Sequence, residues 1–175
     1  MPHKLTPFIT AEQLAERVEA LGKEVTAAYD GNEPLVCICV LKGAFLFFSD
    51  IIRKIDRDIE VDFVRLASYG TATSRTDDIV FSKDLEISIE DKDVLVIEDI
   101  VDTGHSMDFL IKVLEMRKPK SLKICSLIDK HERREKKVQV DFAGFKLSDG
   151  FIVGYGLDYA ERYRELDGIY ELSTE

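Results

Sequence analysis

Residues 94–107, Val-Leu-Val-Ile-Glu-Asp-Ile-Val-Asp-Thr-Gly-His-Ser-Met, constrain the fold more than any other part of the chain. Residues 94–97 are apolar and mostly β-branched, the pattern of a strand buried on both faces. Two adjacent carboxylates, Glu98 and Asp99, follow at its carboxyl end. A polar turn carrying Asp102, Thr103, Gly104 and Ser106 comes next, and Met107, Leu110, Ile111 and Leu114 then recur at helical spacing. A strand that feeds a helix through a short polar turn is how an α/β fold builds an anion site. Backbone N–H groups at the helix start point at the anion, and glycine lets the backbone come close. Thr103 and Ser106 add hydroxyl donors. Two acids beside such a turn suit sugar hydroxyls, a hydrated Mg²⁺, or both.

The rest of the chain supports an α/β architecture. Thr10-Ala11-Glu12-Gln13 fits a capping box, and Leu14, Val18, Leu21 and Val25 continue a helical stripe. Residues 35–41 read as a central strand, broken by Lys42-Gly43, and residues 44–52 as a helix apolar almost all round. Residues 59–66 read as a strand and residues 68–78 as a long polar loop. Residues 79–81 and 85–89 read as a short hairpin, and residues 122–128 as another buried strand after Pro119 stops a helix. Alternating strands and helices imply a central, mostly parallel sheet flanked by helices. Ligands then bind beyond the carboxyl ends of the strands, which places Lys42-Gly43, residues 98–106 and Asp129-Lys130 on one rim. Residues 142–145, 151–155 and 169–172 read as short strands of a small lobe over that rim. With 175 residues, one domain over 1–175 is expected, its core about 30–140 and its hood from the carboxyl-terminal segment with part of the amino terminus.

A net charge of −10 argues against a general nucleic-acid binder. No apolar run is long enough to cross a bilayer, and the amino terminus lacks a signal-peptide core. Cys37, Cys39 and Cys125 lie in apolar runs without metal spacing, as buried free thiols of a cytoplasmic protein would. Asp-Thr-Gly is also the triplet of aspartic proteases, but those need two triplets on an all-β scaffold. Arg133 and Arg134, beside Glu132 and Glu135, have the pattern of a solvated charged surface.

The central string resembles the phosphoribosyl-diphosphate-binding motif of the type I phosphoribosyltransferases. Leu41-Lys42-Gly43, Ser68-Tyr69-Gly70, Asp129-Lys130, residues 151–159 and Arg164 extend the likeness to the 6-oxopurine branch over nearly the whole chain. The resemblance implies a type I phosphoribosyltransferase fold with a hood lobe and a flexible loop. It also implies a Mg²⁺-dependent purine salvage enzyme that transfers the 5-phosphoribosyl group from 5-phosphoribosyl 1-diphosphate to N9 of hypoxanthine or guanine. The products would be IMP or GMP and pyrophosphate.

By the same resemblance, Asp102, Thr103, Gly104, His105 and Ser106 would hold the 5′-phosphate, and Glu98 and Asp99 the ribose and the metal. Asp102 would accept the N7 proton of the purine, its competing role being a helix N-cap. His105 stands where relatives often carry a longer basic or a hydroxyl side chain. Lys130 would donate to the 6-oxo group, Phe151 would stack on the purine, Ile152 would offer backbone groups, and Asp158 would bind a second metal. Lys42, Gly43 and Arg164 would engage pyrophosphate, and Ser68 and Tyr69 would belong to a lid. A homodimer or homotetramer is implied, with neither nucleic acid nor membrane as partner. A phosphoribosyltransferase-like regulator, or an enzyme for another base such as xanthine, adenine, orotate or uracil, is the alternative.

Overall fold

In the computed structural model, which describes residues 3–69 and 78–174, a six-stranded sheet forms the centre. Its spatial order is β4 (Asp78–Lys83), β3 (Ile59–Tyr69), β2 (Leu35–Leu41), β5 (Asp93–Val101), β6 (Ser121–Asp129) and β7 (Phe142–Lys146). Every neighbouring pair is parallel except β3–β4. Parallel neighbours need crossovers. The helix α2 (Phe45–Ile51) links β2 to β3, and α3 (His105–Glu115) links β5 to β6.

The unbroken apolar runs of β2 and β5 have their cause in this layering. Leu35, Cys37 and Cys39 of β2, with Leu95 and Ile97 of β5, enter a core layer shared with α2 and α1 (Ala11–Ala27). Val36, Ile38, Val40, Val94 and Val96 enter the opposite layer, against Met107, Leu110 and Leu114 of α3. Both faces are covered, so no position can be polar until the strands reach the rim. Helix α1 begins where the capping box predicts: the Gln13 N–H donates to Thr10 Oγ1 (3.3 Å) and the Thr10 N–H to Gln13 Oε1 (2.9 Å). Arg17 on α1 donates to the Gly144 and Ala143 carbonyls at 2.8 and 2.7 Å, tying the helix to β7. Cys37, Cys39 and Cys125 are fully buried, as expected, and burial pushes the thiols of Cys37 and Cys39 up to about 12.

The chain ends build a second, antiparallel sheet of order β1-β9-β8, from β1 (His3–Ile9), β9 (Ile169–Thr174) and β8 (Ile152–Val153). Ile9, Ile152 and Ile169 reach the same layer as α1, so the lobe is continuous with the core.

The structure corrects three local expectations. Residues 142–145 do not join the lobe, because they pair parallel with β6 as the edge of the large sheet. Residues 85–89 are not a strand, and β4 pairs with β3 instead. The Asp62 carboxylate accepts the N–H groups of Glu86 and Ile87 at 2.7 and 3.0 Å, which satisfies that backbone without a ladder. Finally, β3 runs on to Tyr69, so Ser68 and Tyr69 pair with Ile79 and Asp78 as strand residues.

Candidate active site

Strand β5 runs through the acidic pair to Val101, and the side-chain alternation of a strand separates the two acids. Glu98 lines a cavity of about 130 Å³ together with Thr103, Gly104, His105 and Ser106. Asp99 lines a second cavity of about 440 Å³. Asp102 borders both. The N-cap of α3 is Gly104, at φ +87°, so Asp102 does not serve as the cap. The first N–H groups of a helix have no acceptor within it; here they belong to residues that line the smaller cavity. A Cβ on Gly104 would stand 2.8 Å from Arg134 Cδ, so packing and backbone both require glycine. His105 pairs through Nε2 with Glu135 Oε2 at 2.7 Å.

The larger cavity gathers the residues expected at a purine. Lys130, only 4% exposed, follows β6 directly, and its Nζ donates to the Gly150 carbonyl at 2.7 Å. Phe151 is 52% exposed and meets Tyr159 edge-on at 5.6 Å, so it is not a core aromatic. Ile152 and Asp158 complete this wall. Asp102 Oδ1 is buried and accepts no hydrogen bond among the described residues. Arg133 Nε stands 3.1 Å from it without hydrogen-bond alignment.

Burial pushes both carboxyls of the acidic pair above the usual range, and the charge of Asp99 raises Glu98 further. Two adjacent oxygen ligands that resist ionising alone would be relieved by a hard dication, and two carboxylates are the number Mg²⁺ commonly takes beside substrate phosphates. A Cβ on Gly43 would lie 1.7 Å from Asp99 Oδ2, so any side chain there would displace the Asp99 carboxylate. Among the described residues no group of three or more His, Cys, Asp or Glu side chains converges as a ready metal cage.

Lys42 and Gly43 follow β2 through a cis Leu41–Lys42 peptide. Gly156 of the lobe packs so closely that a Cβ there would stand 2.1 Å from the Gly43 carbonyl oxygen. Arg164 donates through Nη1 to the Gly156 carbonyl (2.7 Å) and pairs through Nη2 with Asp158 (2.9 Å). Glu161 bridges the two basic groups, 2.9 Å from Lys42 Nζ and 3.4 Å from Arg164 Nη2. Lys42, Arg164 and Asp158 are therefore brought into one ion-pair network. Asp158 is an arginine partner within it, with its second oxygen accepting the Glu161 N–H at 2.9 Å.

The expected lid falls on residues 68–78. Its ends, Ser68 and Tyr69, close β3, and residues 70–77 lie outside the described residues. The sequence pattern missed Arg133, Arg134 and Glu161. Arg133 lines the larger cavity, and the Arg134 side chain is 12% exposed rather than solvated. The one signal that could have drawn attention to the arginines is their nearness to Asp129-Lys130 in the chain.

Residues 9–160 match the family described as "Phosphoribosyl transferase domain". The chain is 42% identical over 167 residues to the hypoxanthine phosphoribosyltransferase of Escherichia coli strain K12, covering 95% of this chain and 94% of that protein. It is 44% identical over 168 residues to the "Bifunctional protein TilS/HprT" of Listeria innocua, covering 96% of this chain but only 26% of that longer protein. A crystal structure of a hypoxanthine-guanine phosphoribosyltransferase from Bacillus anthracis, with a HEPES molecule in the active site, superposes with a TM-score of 0.92. It is 40% identical, with 99% of this chain and 100% of that chain covered.

Proposed function

The chain belongs to the phosphoribosyl transferase domain family, and from that premise we propose that it is a purine salvage enzyme, a hypoxanthine(-guanine) phosphoribosyltransferase. It transfers the 5-phosphoribosyl group from 5-phosphoribosyl 1-diphosphate to N9 of hypoxanthine or guanine, giving IMP or GMP and pyrophosphate. The observation that carries this reading is the pair of adjoining cavities that share Asp102, one at the start of α3 and one walled by Lys130 and Phe151.

Positive charge develops at the anomeric carbon as the diphosphate leaves, so the protein must orient the base, control charge and exclude water. The turn from Thr103 to Ser106 holds the 5′-phosphate with amides and hydroxyls. Lys130 donates to the 6-oxo oxygen, which the amino group of adenine cannot replace as an acceptor. Phe151 stacks on the ring and Ile152 offers backbone groups to its edge. The buried Asp102 Oδ1, which accepts no hydrogen bond among the described residues and has the Arg133 guanidinium 3.1 Å away, takes the proton from N7 as N9 attacks. Lys42, Gly43 and Arg164 receive the diphosphate, which must displace Glu161 from both basic groups. Glu98 and Asp99 would hold a hydrated Mg²⁺, whose charge would neutralise the diphosphate, and Asp158 would bind a second ion only once released from Arg164. Ser68 and Tyr69, at the end of β3, would flank a lid that shields the reacting centre.

A homodimer or homotetramer is part of the proposal, supported by exposed Phe45 on α2. A cytoplasmic location is proposed on the three unpaired cysteines. The decisive experiment is a product assay with the diphosphate, Mg²⁺ and each base in turn. IMP and GMP formed from hypoxanthine and guanine, with no product from adenine, is the expected outcome. Turnover of adenine or orotate, or of no base, would overturn the reading.

A further inference from the structure

Three successive carbonyls of the β5–α3 turn face one segment of the chain. The Val101 oxygen accepts from the Lys130 N–H at 3.0 Å and lies 3.3 Å from Arg134 Nη2. The Asp102 oxygen accepts from Arg134 Nε at 3.0 Å. The Thr103 oxygen accepts from the N–H groups of Glu135 and Lys136 at 2.9 and 3.1 Å. In a trans peptide the C=O of one residue and the N–H of the next point in opposite directions. Drawing the Asp102 and Thr103 carbonyls toward residues 134–136 therefore turns the N–H groups of Thr103 and Gly104 the other way. On that side, among the described residues, neither amide donates to a backbone acceptor, so both can meet an anion.

Arg134 is held firmly enough to impose this orientation. Its Nη1 donates to the Val138 carbonyl at 2.6 Å, and its Nη2 is ion-paired with Asp129 Oδ1. Its Cδ occupies the space a side chain on Gly104 would need. A guanidinium presents five donors in a rigid plane, so one side chain spans two carbonyls of the turn, a third carbonyl and a carboxylate. A lysine ammonium at the same place reaches one of these groups at a time. Asp129 also immediately precedes Lys130, so the same arginine ties the phosphate turn to the strand end that carries the purine-facing lysine.

We propose that Arg134 is the positioning residue of the phosphate turn: it does not touch substrate, and it aims the turn's amides at the 5′-phosphate. The inference rests on the proposed 5′-phosphate site at Thr103 to Ser106. The test measures KM for the diphosphate, KM for hypoxanthine, the dissociation constant of the nucleotide product and thermal stability in wild type, Arg134→Lys and Ser106→Ala. Arg134→Lys is expected to raise the nucleotide dissociation constant and the diphosphate KM about tenfold or more, as loss of one or two charge-assisted hydrogen bonds would. The KM for hypoxanthine should change less than about twofold. If Arg134→Lys does not yield folded protein, Asp129→Asn releases the anchor of Arg134 and should give the same split at smaller size. Unchanged nucleotide affinity in Arg134→Lys, while Ser106→Ala weakens it, overturns the role of Arg134 and leaves the phosphate site standing. Equal losses for base and diphosphate in both the Arg134 and Asp129 variants also overturn it, because they mark a general structural role. Unchanged nucleotide affinity in Ser106→Ala as well overturns the phosphate-site reading beneath it.

Discussion

Replacing Lys130 by Met tests base recognition with little change of shape, because the thioether occupies the path of the aliphatic stem. Two effects follow from the position of Nζ. The Gly150 carbonyl loses the donor at 2.7 Å, and a part-buried acceptor left unpaired costs about 1–3 kcal/mol. For a chain of this size each kcal/mol lowers Tm by about 2–4 °C, so a fall of about 2–12 °C is expected. The low end applies if water reaches Gly150 through the open side of the cavity. The 6-oxo group loses its donor too, and a similar 1–3 kcal/mol in binding raises KM for hypoxanthine about 5- to 150-fold. The assay is a pair of steady-state titrations, hypoxanthine at saturating diphosphate and the converse, beside a thermal melt. Selectivity against adenine should fall in parallel. A variant whose diphosphate KM rises while its hypoxanthine KM holds would show that Lys130 serves a different subsite.

Asp102→Asn should keep the diphosphate KM within about twofold and lower kcat by about 10²–10⁴, the range of general-base losses; an unaltered kcat removes Asp102 from proton transfer. Thermal scans should show Mg²⁺ raising the Tm of wild type and leaving Glu98→Gln/Asp99→Asn unmoved, because the amides remove the charge that burial disfavours; an equal rise in both places the ion elsewhere. Cys37 and Cys39, with thiols pushed up from 9.0 to about 12, should resist a thiol-specific disulfide reagent at pH 8 until the protein unfolds. Their sign follows from the raised values: above pH 9 the unfolded thiols ionise and the folded ones do not, so this contribution to stability is present below pH 9 and falls between 9 and about 12. Denaturant titrations of wild type and Cys37→Ser/Cys39→Ser from pH 8 to 11 check it; an equal pH slope in both refutes the assignment.

Residues whose consequences are local were legible in the chain. The capping box at Thr10, the two-face apolar runs of β2 and β5, and the turn from Asp102 to Ser106 each use neighbours within a few positions. Residues 85–89 misled because Ile87 and Ile89 alternate like a strand, while the partner of that backbone is the carboxylate of Asp62, more than twenty positions away. Arg134 looked solvated for a related reason. Its neighbours in the chain are charged, but three of its partners lie at the end of β5, in the turn after it and at the end of β6.

The sequence by itself determined the strand–turn–helix unit, its acids and glycine, the covering of the sheet on both faces, and the family whose chemistry those residues share. Periodicity and turn chemistry act over one or two turns of chain, so they survive without knowledge of the fold. Only the tertiary structure decided that β7 closes the edge of the large sheet and that the two chain ends pair as β1 and β9. It alone brought Glu161 between Lys42 and Arg164 and buried Arg134 beneath the phosphate turn. Those features are contacts across long sequence separations, and which polar groups meet there depends on the packing of whole elements.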